Sequence, residues 1–222
     1  MTLAKRYPLR ISRGESAGSV NLFCTVTEDG VTGLGEAAPG RLTGAESAED
    51  CENQIKDFLG ENTQALDNPF DGWQMARDAG VAPCAWAAVD TALWDLLARS
   101  QSKPLYRLLG LPRRAVPTSV TIGILPPDVV RERVPEVIQR TGARYLKVKL
   151  GSPEGLDADC EMFSAVQEAA SSFDVKVRVD ANGGWNLKDA QKMMTWLKKH
   201  DCDYVEQPLH HNNDDELPAL FK

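Results

Sequence analysis

A chain of 222 residues with 42% hydrophobic and 26% charged side chains has the composition of a globular protein with one large core or two modest ones. A formal net charge of −7, with no basic stripe, argues against a nucleic-acid partner, and no apolar run approaches the roughly 18 residues of a membrane span. The opening MTLAKRYPLRISRG carries basic residues but no apolar stretch behind them, so no secretory leader is expected and the protein is placed in the cytoplasm.

The N-terminal third reads as antiparallel. Tyr7, Leu9 and Ile11 alternate with polar or small residues, as do Val20, Leu22, Cys24 and Val26. Glu28-Asp29-Gly30 then predicts a tight hairpin turn, because Gly accepts positive φ, with a return strand over 31–36. GEAAPGRLTG reads as a loop. A helix is expected over 45–59, a break over 69–72 and a second helix over 73–79. The clearest helix covers 83–100, where Trp86, Val89, Leu93, Leu96 and Leu97 recur at helical spacing and Pro83 suits the first turn. Trp86 and Trp94 read as core. A short helix over 104–109 stops at Gly110 and Pro112.

Beyond this point the pattern cycles. Strands are expected over 116–124, 145–150, 175–180 and 203–206, with helices over 127–140, 153–171 and 187–199 and a last one beginning at 214–221. Alternating strands and helices predict a parallel α/β sheet. The boundary falls in LPRRA, near 111–115, giving domains of 1–112 and 113–222. Four such units do not close a (β/α)₈ barrel, which takes about 250 residues. The pattern therefore reads as a truncated barrel, or as one completed by another copy or partner, and truncation is favoured.

Functional groups of parallel α/β folds sit at the carboxyl ends of the strands. Here those ends carry Lys147 and Lys149, then Asp180, then Glu206. Lysines two apart on a strand share a face. A lysine flanked by a second ammonium resists protonation, which would bring its amine toward the range of a general base. K-x-K alone is more often a solvated edge strand, and either acid alone an ordinary loop carboxylate. Two acids on successive strands beside K-x-K form a more specific set, with oxygen donors suited to a hard divalent cation. Asn182 and Gln207 follow these acids and read equally as hydrogen-bonding supports for them or as turn residues. His210 and His211 read as a polar loop, and no G-x-G-x-x-G signature follows a strand. The five cysteines, Cys24, Cys51, Cys84, Cys160 and Cys202, form no C-x-x-C pair, so reduced thiols are expected.

Taken together, GEAAP, ALWDLLARSQSKPLYRLLG, TSVTIGI, YLKVKLG, VDANGGW and VEQPL resemble the enolase superfamily, in its muconate-lactonising-enzyme subgroup, and within it the dipeptide epimerases. The resemblance implies an α+β capping domain followed by the first half, about four βα units, of a (β/α) TIM-type barrel. It implies Mg²⁺ as cofactor, held by Asp180 and Glu206. It makes Lys149 the acid/base residue on one face of the substrate and places Lys147 beside it, near the substrate carboxylate. Thr121 becomes a substrate contact, and the loop 40–44 part of a cap over the site. The implied reaction is abstraction of the α-proton of a carboxylate, with a dipeptide such as Ala-Glu as the small-molecule partner. Cycloisomerisation or dehydration on the same half-site is the alternative, as is a catalytically incomplete fragment. In the family's order a third carboxylate ligand and a second lysine lie beyond Lys222. Exposed sheet edges would favour self-association into a homo-oligomer.

Overall fold

The computed structural model describes residues 1–40, 43–113 and 117–221. The cap loop expected at 40–44, the boundary expected at 111–115 and the start of the strand expected at 116 fall partly or wholly outside those residues. By packing, the chain divides into two units: Met1–Ala4 with Gly18–Arg114, and Lys5–Ala17 with Ala115–Lys222.

In the first unit, strands β3 (Leu22–Glu28) and β4 (Val31–Ala37) form the expected antiparallel hairpin. Asp29 and Gly30 both take positive φ, 49° and 78°, as a two-residue turn matched to strand twist requires. Three helices follow: α1 (Ala48–Glu61), α2 (Pro69–Asp78) and α3 (Pro83–Ser100). The Ser47 side chain caps α1 by accepting from the Asp50 amide at 3.0 Å. Residues 69–72, expected to be a break, are the first turn of α2. Asn68 caps that turn by accepting from the Phe70 amide at 2.8 Å, and Pro69 occupies the helix start, where its missing N–H costs nothing. Helix α3 lies against β4. A methyl group at Gly33 or Gly35 would collide with the α3 backbone at Ala92 or Ala88, so the two glycines of VTGLGEA set the helix-to-strand distance. Trp86 is buried edge-on to Phe58, with ring centroids 5.3 Å apart, and Trp94 meets Phe70 in the same way at 5.0 Å. A single turn, α4 (Leu105–Leu108), is the last helix of this unit among the described residues.

Strands β1 (Thr2–Ile11) and β2 (Gly14–Val20) pair as a separate two-stranded sheet. GESAGSV has no large apolar alternation, and β2 was not expected from the sequence. The tip of this hairpin belongs to the second unit, where the Ile124 amide donates to the Arg10 carbonyl at 2.9 Å and Arg133 stacks 3.6 Å from the Tyr7 ring centroid.

The rest of the second unit is a parallel sheet of β5 (Ser119–Ile122), β6 (Tyr145–Lys149), β7 (Lys176–Asp180) and β8 (Val205–Glu206), in chain order. Helices α5 (Pro127–Thr141), α6 (Leu156–Ala170) and α7 (Leu187–Lys198) connect the strands. Leu146, Val148, Val177 and Val179 are buried in one core with Val130, Val134 and Val137 of α5, Phe163 and Val166 of α6, and Met193 and Leu197 of α7. The helix expected over 214–221 is instead a 3-10 segment, His211–Phe221. Asn213 departs from helical angles (φ −117°, ψ 23°), and Pro218, inside the segment, lacks an amide donor. No helix among the described residues is long and apolar enough to cross a membrane.

The contact of β4 with α3 yields a stability test. Gly35→Ala is expected to destabilise the protein by about 1–3 kcal/mol, the usual cost of overpacking a close contact. The midpoint of urea unfolding measures it, and an unchanged midpoint would mean that α3 has room to move away.

Candidate active site

The two faces of the parallel sheet differ in chemistry. One packs on the helices. The other carries Ser119 and Thr121 on β5, Tyr145, Lys147 and Lys149 on β6, Lys176, Arg178 and Asp180 on β7, and Glu206 on β8. Parallel register places Thr121 level with Lys147 and Lys147 level with Arg178. One layer nearer the carboxyl ends, Lys149 is level with Asp180 and Asp180 with Glu206. Because paired residues of neighbouring strands share a face, the K-x-K pattern and the two acids reach the same side of the sheet.

There the charges pair. Lys149 Nζ donates to Asp180 Oδ2 at 2.5 Å, with 12% and 3% of the two side chains exposed. Lys147 Nζ donates to Glu206 Oε2 at 2.7 Å, reaching across β7, and these side chains are 24% and 44% exposed. The hydrogen bond that Lys147 donates to Glu206 holds the pKa of its ammonium above the usual lysine range, with the charges of Glu206 and Asp180 adding to the effect against desolvation. The sequence argument that adjacent ammoniums depress one another is therefore reversed at Lys147. Opposite charge on β8 lies closer to it than the like charge on its own strand.

Both acids are followed by turns in uncommon conformations. Asn182 has φ 49° and Gln207 φ 42°, in the left-handed region that Asn tolerates better than most residues. The Asn182 amide donates to Asp180 Oδ1 at 2.9 Å and its side-chain Nδ2 to Asp180 Oδ2 at 3.2 Å. Asn182 Oδ1 is buried with no hydrogen-bond partner among the described residues. Gln207 acts through its backbone, whose carbonyl accepts from the Gly183 amide at 2.8 Å. A hard cation takes oxygen donors, and the level pair Asp180 and Glu206, beside the unpartnered Asn182 oxygen, suits one. Among the described residues no three His, Cys, Asp or Glu side chains gather into a metal cluster. The His210 and His211 rings lie tilted against each other, with centroids 4.0 Å apart and 37° between their planes.

Two supporting residues carry no mark in the sequence. Arg178 lies 3.8 Å from the Tyr145 ring centroid and 5.1 Å from that of Tyr204, and donates to Asp203 Oδ2 at 3.0 Å and to Ser119 Oγ at 3.1 Å. Only the alternation of VKVRVD places it on the site face. Asp159, in the first turn of α6, is a buried carboxylate that reads in sequence as an ordinary helix-start acid.

An antiparallel unit with helices, followed by a parallel α/β sheet with lysines and acids at its strand ends, is the arrangement of the enolase superfamily. Residues 2–110 match the family model described as mandelate racemase / muconate lactonizing enzyme, N-terminal domain, and residues 129–221 match the enolase C-terminal domain-like model. The chain belongs to this superfamily, in its mandelate racemase/muconate lactonizing enzyme branch. It is 58% identical over 220 residues to a hydrophobic dipeptide epimerase of Roseobacter litoralis, covering 99% of this chain and 63% of that protein. It is 46% identical to a hydrophobic dipeptide epimerase of a Flavobacteria bacterium, covering 100% and 63%. The solved dipeptide epimerase of Enterococcus faecalis V583, complexed with Mg and L-Leu-L-Tyr, aligns with a TM-score of 0.85 at 30% identity, over 99% of this chain and 62% of that one. The chain thus spans somewhat less than two thirds of the length of these relatives.

The two ion pairs should differ in energy because they differ in burial. In metal-free buffer, Asp180→Asn leaves the Lys149 ammonium enclosed without a counter-charge and is expected to cost about 3 kcal/mol. Glu206→Gln, at a half-exposed pair, is expected to cost under about 1 kcal/mol. Urea denaturation of both variants measures the difference; equal losses would show that burial does not separate the pairs.

Proposed function

We propose that the protein carrying this chain is a magnesium-dependent dipeptide epimerase, and that the strand ends described above form one acid/base face of its active site. The observation that carries the reading is the enclosed Lys149–Asp180 pair with Glu206 level beside it. That arrangement places an amine and two hard oxygen donors within one layer of the sheet.

Lys149 is the group that takes or returns the α-proton next to the substrate carboxylate, and its neighbour Lys147 sits nearest that carboxylate. Thr121, level with Lys147 on β5, contacts the bound substrate. Asp180 and Glu206 would hold Mg²⁺, with Asn182 fixing both oxygens of Asp180 and Gln207 shaping the turn after Glu206. The chemistry supplied by the ion when bound is neutralisation of the negative charge that gathers on the substrate carboxylate as the α-proton leaves. For Lys147 and Lys149 to act on substrate, their ammoniums must leave the carboxylates that now hold them; Asp180 and Glu206 would give them up on turning their oxygens to a bound cation.

The substrate class moves from the Ala-Glu type to dipeptides with apolar side chains. The two relatives of 58% and 46% identity are both hydrophobic dipeptide epimerases, whereas the Ala-Glu epimerase of Bacteroides thetaiotaomicron is 35% identical. A cytoplasmic setting accords with five cysteines that are all free thiols.

Incubation of the protein with Mg²⁺ and a dipeptide such as Leu-Tyr in D₂O is expected to incorporate deuterium at the α-carbon beside the carboxylate, followed by proton NMR. Lys149→Ala is expected to lower exchange from one epimer by about 10²–10⁴-fold, the usual contribution of a general base. Absence of exchange with apolar and acidic dipeptides alike would overturn the reading.

A further inference from the structure

The carboxylate of Asp159 is 1% exposed, although it belongs to the first turn of a surface helix. It accepts three hydrogen bonds. Oδ2 takes one from the Gly151 amide at 3.0 Å and one from the Trp185 indole at 2.9 Å, and Oδ1 takes one from the Ser152 amide at 2.9 Å. Gly151 and Ser152 lie on the chain leaving β6 just past Lys149. Trp185 lies on the loop leaving β7 past Asp180. One carboxylate therefore joins the two strand exits that carry the Lys149–Asp180 pair.

Those exits are already close. The Leu150 amide donates to the Asp180 carbonyl at 3.0 Å, and a Cβ on Gly151 would lie 2.6 Å from the Ala181 carbonyl oxygen. Ser12, at the hairpin tip, donates its hydroxyl to the Asn182 carbonyl at 3.1 Å. Asp159 closes this junction from the helix side. We propose that Asp159 is a positioning residue: from behind the strand ends it fixes the exit of β6 against the exit of β7 and so holds Lys149 on Asp180. The inference rests on the proposed reading of Lys149 as base and Asp180 as oxygen donor.

The residue type follows from the partners. All three are donors, so the group between them must only accept, which an ionised carboxylate does. Asn would present one oxygen and one NH₂ and leave a donor facing a donor. Burial is costly for this carboxylate and pushes its pKa up, against the lowering effect of its three hydrogen bonds. An acid serving only the helix dipole would sit in water and avoid that cost.

The test reads Lys149 directly in the metal-free protein. The protein is labelled with acetic anhydride at limiting dose, digested, and the acetylation of Lys149 is measured by mass spectrometry relative to Lys56, an exposed lysine of α1. Asp159→Asn is expected to raise the relative labelling of Lys149 about tenfold, the scale set by losing a hydrogen bond to a charged group. Trp185→Phe, which removes one donor and leaves the carboxylate in place, is expected to raise it less. Adding Asp159→Asn to Trp185→Phe should then cost less than the sum of the two single changes, because the Asn NH₂ no longer faces the indole. If Asp159→Asn does not fold, Trp185→Phe alone carries the test. Unchanged Lys149 labelling in the folded variants overturns the proposal, and so does an equal rise at every lysine, which marks a general loss of stability. Mg²⁺ binding and α-proton exchange are measured separately. Their absence in the unaltered protein would remove the catalytic reading, while the labelling result would still decide whether Asp159 holds Lys149 in place.

Discussion

Parallel register is the constraint on which the site depends. Lys149, Asp180 and Glu206 come from strands separated along the chain by whole helices, and nothing local brings them together. They meet because each strand end pairs with the next at the same level, and because the alternation of side chains turns all three to the same face. The apolar residues between them secure that alternation. Leu146, Val148, Val177 and Val179 are fully or almost fully buried against the helices, so a shift of one residue on β6 or β7 would turn charge into the core.

The same arrangement explains why the charges pair as they do. A sheet face lined by three lysines, an arginine and two acids is unstable unless opposite charges are closer than like ones. The observed pairs run between strands: Lys149 bonds the acid next to it, and Lys147 reaches past β7 to Glu206. In the catalytic reading, the oxygens that would hold a cation are the ones that now hold the ammoniums. The two ammoniums balance the charge of the two acids within the sheet face.

What was legible in the sequence follows from how local each feature is. The Asp29-Gly30 hairpin turn, α3 and the strand–helix alternation of the second unit are written in short-range periodicity and turn chemistry. The strand-end lysines and acids were legible because alternation assigns them a face. Strand β2 was not, because GESAGSV lacks the apolar alternation that marks a strand. The start of α2 at Pro69 was read as a break, since a proline ends a helix as readily as it begins one, and only the Asn68 cap decides. Arg178 and Asp159 were out of reach for a different reason. Their importance lies in partners from other elements, so no spacing within the chain reports it. The raised pKa of Lys147 belongs to the same class, set by a glutamate on another strand.

Arg178 ties three strands of the parallel sheet to the segment that leads into the fourth. Its own strand is β7; its guanidinium bonds Ser119 of β5, stacks on Tyr145 of β6, and meets Asp203 and Tyr204 where the chain enters β8. A rigid planar cation that grips three strands and the approach to the fourth acts as a gauge block, setting their lateral spacing one layer below Lys149, Asp180 and Glu206. Lysine could match its charge but not its flat, five-donor shape. The spacing beneath Lys149, Asp180 and Glu206 is thus held by a residue level with Lys147.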